Sequence, residues 1–184
     1  MNRTLSAAVL LLLVPLAACE REAPQTPLGP EVAADAALLS AHSARASNFV
    51  APLDGGQEVP PVETRATGNA VFHLRGDGLH YRLIVANIQN VTQAHIHRAP
   101  AGENGPVVAW LYPDAPPAQL IPGRSSGILA TGVITEDDLV GPLEGEPMDS
   151  LLQAMRAGNT YVNVHTSQFP PGEIRGQIWP VGRH

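Results

Sequence analysis

From Phe49 onward, apolar and polar residues alternate with a period of two. Asn69–Arg75 sets Ala70, Phe72 and Leu74 against Val71, His73 and Arg75. Leu79–Val85 sets Leu79, Tyr81, Leu83 and Val85 against His80, Arg82 and Ile84. Residues two apart on a strand share a face, so each run offers one face to a core. Asp77-Gly78 between them is a tight-turn signal, and the two runs predict a hairpin. Further strands are expected at Val91–His97, Val107–Leu111, Gly127–Ile134, Tyr161–Thr166 and Glu173–Trp179. One segment has helical spacing instead: Leu151, Leu152 and Met155 within Ser150–Ala157, with Asp149 as a cap and Gly158 as a left-handed terminator. Thr135–Asp138 predicts one further short helical turn. Short strands at close spacing, separated by turn residues, predict a sandwich or a barrel.

Composition supports this reading. The 18 prolines and 17 glycines make up about 19% of the chain, against a usual share of about 12%. Both residues disfavour helix interiors, which argues against a helical bundle. All 11 basic residues are Arg, against 17 acids, for a net charge of −6. With 4% aromatics as well, the chain has neither the charge nor the stacking platforms of a nucleic-acid binder. Its length suits one domain with a proper core. No phosphate-binding loop and no nucleophile–His–acid signature is present.

The first residues point to a compartment. Arg3 precedes the apolar run Ala7–Ala18, which is short for a membrane span and interrupted by Pro15. Residues 1–18 therefore read as a secretory signal. The only cysteine, Cys19, follows Leu16-Ala17-Ala18, and this quartet resembles the lipobox of bacterial lipoproteins, in which the Cys becomes the lipidated N-terminus. Glu20 after it implies, by Gram-negative sorting rules, the outer membrane, facing either the periplasm or the cell surface. Residues 19–47 are Pro- and Ala-rich and read as a tether carrying a domain at 48–180. With no second cysteine, no disulfide can form within the chain. Packing or a bound metal must then supply the stability.

Seven histidines offer candidate chemistry. His95-Ile96-His97 on a strand turns both imidazoles to one face and Ile96 to the core. In Tyr161–Thr166, Val162 and Val164 face inward, so His165 projects outward like the pair. Three such histidines form a candidate metal triad, and imidazoles suit copper first and zinc second. His73 and His80 project outward too, as surface residues or a fourth ligand; His42 and His184 read as incidental. Trp110 and Tyr112 share a face with Val108 and read as core. Glu58, in the rigid stretch Glu58-Val59-Pro60-Pro61, is free to accept hydrogen bonds, to pair with an Arg or to serve as a ligand. Glu58, Asn163, Glu173 and Arg175 are the candidates to stand behind the ligands.

Four stretches then carry a family resemblance. Leu53–Val62 (LDGGQEVPPV), Ala94–His97 (AHIH) with Gly102–Val108 (GENGPVV), Tyr161–Thr166 (YVNVHT) and Pro171–Ile178 (PGEIRGQI) resemble the chordin-domain (CHRD) family, in family order over roughly residues 48–180. Pro171 stands where the family commonly has a second Gly before Gly172-Glu173. The resemblance implies an all-β, Greek-key β-sandwich, immunoglobulin-like or superoxide-dismutase-like, here with one short helix. The growth-factor antagonism of animal chordin does not transfer to a bacterial lipoprotein on fold alone. The His-x-His strand also resembles, more weakly, the copper strand of copper–zinc superoxide dismutases, although no disulfide pair or zinc loop accompanies it. That likeness would make Arg175 an anion guide; the plainer expectation is an ion pair with Glu58 or Glu173.

The sequence thus leads to a lipid-anchored cell-envelope protein that binds copper, or zinc, through His95, His97 and His165. It would buffer, sequester or pass on the ion. Its partners would be the membrane, the metal ion and an envelope protein, but not nucleic acid. A copper-dependent redox enzyme of the dismutase type and a metal-free adhesion or assembly module are the alternatives.

Overall fold

A computed structural model of the chain describes Leu38 and residues 46–182. The expected signal peptide, Cys19, nearly all of the tether, His42 and His184 lie outside the described residues.

The strands are β1 (Asn48–Asp54), β2 (Thr67–Arg75), β3 (Gly78–His97), β4 (Val107–Tyr112), β5 (Ile121–Ile134), β6 (Tyr161–Thr166), β7 (Ile174–Gln177) and β8 (Trp179–Pro180). Helix α1 (Met148–Ala157) lies between β5 and β6. The hairpin forms as its pattern predicts, with Arg75 opposite Gly78 and Leu74 opposite Leu79.

Several boundaries differ from expectation. Leu79–Val85 and Val91–His97 belong to one 20-residue strand rather than two. Asn87 and Asn90 bend it, at φ of 59° and 53°, and the pairing with β5 shifts register around them. Asn tolerates the left-handed region because its short amide can bond locally, so β3 turns a corner without ending. β5 begins at Ile121, six residues early, and Glu173–Trp179 divides into β7 and β8. Helix α1 begins at Met148 behind Pro147; Asp149 sits in its first turn and accepts from Gln153 and Arg156 instead of capping. Gly158 ends the helix at φ 73°, where a side chain would meet the Trp179 ring. Thr135–Asp138 is a 3-10 turn closed by a reciprocal cap.

The eight strands form one sheet that closes on itself. The path runs β2–β1–β7–β6–β3, and β3 pairs back with β2. Val91 pairs with Thr166 of β6 and with Ile121 of β5, so β5 lies along the opposite edge of β3. The fold is all-β and barrel-like. Inward residues such as Phe49, Phe72, Leu83, Ile96, Val162 and Ile174 fill it. Leu151 and Met155 of α1 pack into the same core.

The corner in β3 positions the candidate site. The first half of the strand pairs with β2, and the second, carrying His95 and His97, pairs with β6. A loop at Arg98–Pro106 and a turn at Ser167–Gly172 leave the ends of these two strands.

Candidate metal centre

On β3, Gln93, His95 and His97 share the face turned away from the barrel core; on β6, Tyr161, Asn163 and His165 do the same. Gln93 lies opposite His165, His95 opposite Asn163, and His97 opposite Tyr161. This register brings three imidazoles together. His95 Nδ1 lies 3.2 Å from His165 Nε2. The ring centroids of His95 lie 5.5 Å from His97 and 5.0 Å from His165, and one ligand nitrogen from each lies within 4.8 Å of the other two.

The expected outward projection needs a correction. The three rings point away from the core but not into solvent. His95 is 3% exposed and His165 6%, and His97 is half-buried. The Arg98–Pro106 loop and the Ser167–Gly172 turn fold over them. Trp110 belongs here as well. It lies opposite His95 across a pair of β-bulges and meets the His95 ring edge to face at 4.2 Å. Tyr112 does pack on the core, as expected.

The covering loops also fix the tautomers. His97 Nδ1 bonds the Gly105 carbonyl at 2.9 Å, and His165 Nδ1 bonds the Pro170 carbonyl at 2.8 Å. A carbonyl only accepts, so both Nδ1 atoms carry the proton and both Nε2 atoms present a lone pair. A carbonyl behind the imidazole is the usual way a metal-binding His is oriented. Among the described residues, His95 Nε2 and His97 Nε2 are buried without a hydrogen-bond partner. Buried polar atoms are seldom left so, and a cation among them would use what the protein leaves unpaired.

Electrostatics match the geometry. Burial pushes the His95 imidazole down to about 3, with the neighbouring His165 and His97 adding to it. Burial pushes His97 down to about 4, against the opposing bond to Gly105. His165 is lowered by burial, against its bond to Pro170. All three are neutral at physiological pH, the state in which imidazole binds a metal. Neutral nitrogen donors at this spacing could hold a transition-metal ion, and among the described residues no carboxylate joins the group.

The supporting residues divide. The His97 ring stacks on Tyr161 at 4.8 Å and 7°, and the Arg175 guanidinium lies 3.4 Å over the same Tyr161 ring. Arg175, 1% exposed, pairs with neither Glu58 nor Glu173. It donates to the Glu103 carbonyl at 2.7 Å, the Pro100 carbonyl at 3.4 Å and Asn104 Oδ1 at 3.2 Å. It therefore fastens the loop whose Gly105 carbonyl orients His97, with no free face to guide an anion. Glu58 accepts both its bonds from Asn163 Nδ2, at 3.0 and 3.1 Å, and burial raises its carboxyl to about 7 against the pull of Arg175 and Asn163. Glu173 bonds Thr64 at 2.7 Å and Thr166 at 2.8 Å. His73 and His80 lie elsewhere, opposite each other on β2 and β3, bonded to Asn48 and Asp77.

Trp110 and the carbonyls of Gly105 and Pro170 are absent from the residues that the sequence puts forward. A backbone carbonyl leaves no trace in residue identity, and the β-bulges that turn Trp110 toward His95 depend on strand pairing. Tyr161 could have been found, since it shares strand parity with His165.

No solved structure matches the chain. A family model for the CHRD domain matches residues 49–178, nearly the whole described fold and both strands of the histidine cluster. The chain belongs to the CHRD domain family.

Proposed function

We propose that this CHRD-domain protein is a lipid-anchored component of the cell envelope that binds copper through His95, His97 and His165. The observation that carries the reading is the set of three sheltered, neutral imidazoles with one ligand nitrogen of each within 4.8 Å of the other two, and with two Nε2 atoms that have no hydrogen-bond partner among the described residues. Copper is favoured because an all-imidazole set without carboxylates suits copper and zinc, and divalent copper stands higher in the affinity order. A shielded ion held by loops suits storage or transfer better than turnover, so buffering, sequestration or handing on is the role we assign.

The same reading takes the closed sheet as a Greek-key sandwich of the immunoglobulin-like or superoxide-dismutase-like kind. The halves would be β1–β2–β3–β5 and β4–β3–β6–β7, sharing the bent β3. Cys19 would carry the lipid, and the outer membrane would be the site of attachment.

The test is a copper titration against a competing chelator, using the chain from residue 19 with Cys19→Ser. His97→Ala should weaken binding by at least about a hundredfold, because it removes a ligand and not only the support behind one. Unchanged affinity in His97→Ala would refute the site. Diacylglyceryl mass on the N-terminal peptide of the membrane-extracted protein tests the anchor separately.

A further inference from the structure

We propose that the outer face of β1, β2, β3 and β5 docks on an anionic lipid bilayer. The proposal rests on the lipid-anchor reading and not on the metal site.

The face combines unpaired positive charge with exposed apolar side chains. Arg75 and Arg82 are exposed, and neither makes a salt bridge among the described residues. His73 and His80 lie opposite each other between them. These four residues line a shallow cleft of about 520 Å³ with Val71, Thr131 and Val133. Beside it, Ile84 and Ile128 stand opposite each other across β3 and β5, 37% and 63% exposed, and Val133 is 38% exposed. The carboxylates nearby are engaged or peripheral. Asp77 holds His80 at 2.7 Å, and Asp54, at the far end of β1, accepts from Gln57. The acidic turn Glu136–Asp138 lies at the rim, with Glu136 bonded to Met148 and Asp138 to Thr135. In a chain of net charge −6, this gathers positive and apolar groups on one side.

The position of the chain's entry selects the partner. The polypeptide reaches the domain at the same end of the same face. The Ser47 carbonyl accepts from Leu74 at 2.7 Å, and Asn48 Oδ1 bonds His73 at 2.8 Å. The 26 residues between Cys19 and Ala46 could span up to about 90 Å, ample for this face to reach the bilayer to which Cys19 would be joined. Anionic headgroups attract Arg within a Debye length, and Ile84, Ile128 and Val133 can enter the headgroup boundary. Each arginine contributes roughly fivefold to partition, enough to orient an anchored domain and, with the apolar side chains, to be measured on the free one at low salt and high lipid concentration. Docked in this way, the barrel turns its β6–β7 side, with the three histidines, off the membrane.

The test uses the chain from residue 19 with Cys19→Ser, sedimented with vesicles of phosphatidylglycerol and phosphatidylcholine or of phosphatidylcholine alone. At low salt the protein should partition onto the anionic vesicles, and high salt should release it. Arg75→Glu with Arg82→Glu should lower that partition at least about tenfold, and Ile128→Ser should lower it as well. All three side chains are exposed, so an unchanged far-UV spectrum is expected. Equal partition of the charge-reversed protein, or no preference of the unsubstituted protein for anionic vesicles, overturns the proposal. Because this protein carries no lipid, that failure is distinct from failure to find diacylglycerol on Cys19.

Discussion

His95 Nδ1 and His165 Nε2 lie 3.2 Å apart although 70 residues separate them in the chain. With the Pro170 carbonyl fixing the proton of His165 on Nδ1, His165 Nε2 is an acceptor, and His95 Nδ1 donates to it in the metal-free protein. A metal ion on His165 Nε2 would have to displace that hydrogen bond. Both rings are already neutral, so metal uptake expels no proton from them, and that sets the expected pH behaviour.

Copper affinity should change little between pH 7.5 and 5.5. Burial holds His95 at about 3 and His97 at about 4, so these two take up no proton until well below 5.5, and burial lowers His165 in the same direction. Three solvated histidines would instead lose affinity steeply below their usual value of about 6.5. Copper titrations at several pH values check this, and a steep fall between 6.5 and 5.5 contradicts it.

Stability of the metal-free protein should have the opposite sensitivity. A histidine whose folded-state value is depressed contributes fully above its unfolded value, about 6.5, and loses that contribution as pH falls toward the folded value. Thermal midpoints should thus decline from about pH 6.5 down to about pH 3, the folded value of His95. The slope should flatten in the triple variant His95→Gln, His97→Gln, His165→Gln, measured by calorimetry.

Glu58 acts with the other sign. Its folded value is raised from 4.5 to about 7, so its contribution is complete below 4.5 and is lost as pH rises through 7. Glu58→Gln keeps an acceptor for Asn163 and removes the buried charge. The variant should gain stability relative to the unsubstituted protein at pH 8 and show no gain at pH 4. Equal differences at both pH values would contradict the assignment.

Much of the fold is legible in the sequence, because alternation is a local property. Tyr161–Thr166 falls on β6 at both ends, and Phe72 and Leu83 are correctly placed in the core. The corner in β3 is not legible: Asn87 and Asn90 look like the loop between two strands until β5 is seen to pair on both sides of them. For the site, strand parity groups His95 with His97, and separately suggests His165. Only the register of Gln93 opposite His165 brings the three together. Their burial comes from loops that the alternation pattern does not describe, which is why surface imidazoles are expected where sheltered ones are found.

Arg175 should matter through the loop it fastens. Arg175→Lys gives up the planar contact with Tyr161 and leaves carbonyls of Pro100 and Glu103 without their donor, for a cost of about 3 kcal/mol. Because that loop presents Gly105 to His97, copper affinity should fall about tenfold too. Chemical denaturation and copper titration read the two effects, and a stability loss with unchanged affinity would separate Arg175 from the site.

Trp110 offers a direct reporter. With its ring 4.2 Å from that of His95, copper should quench the emission of Trp110 and leave that of Trp179 largely unaffected. Trp110→Phe should abolish the quenching while the protein still takes up copper. Quenching that survives the substitution would place the ion elsewhere.

The proposed role depends on these three histidines holding one metal ion. Elemental analysis of the chain from residue 19, unlipidated and untagged, before and after loading with copper or zinc, addresses it most directly when run beside the His95→Ala, His97→Ala, His165→Ala triple variant. One equivalent of metal, copper in preference to zinc, is expected in the unsubstituted protein and none in the variant. No stoichiometric metal in the unsubstituted protein, or the same amount in both, would contradict it.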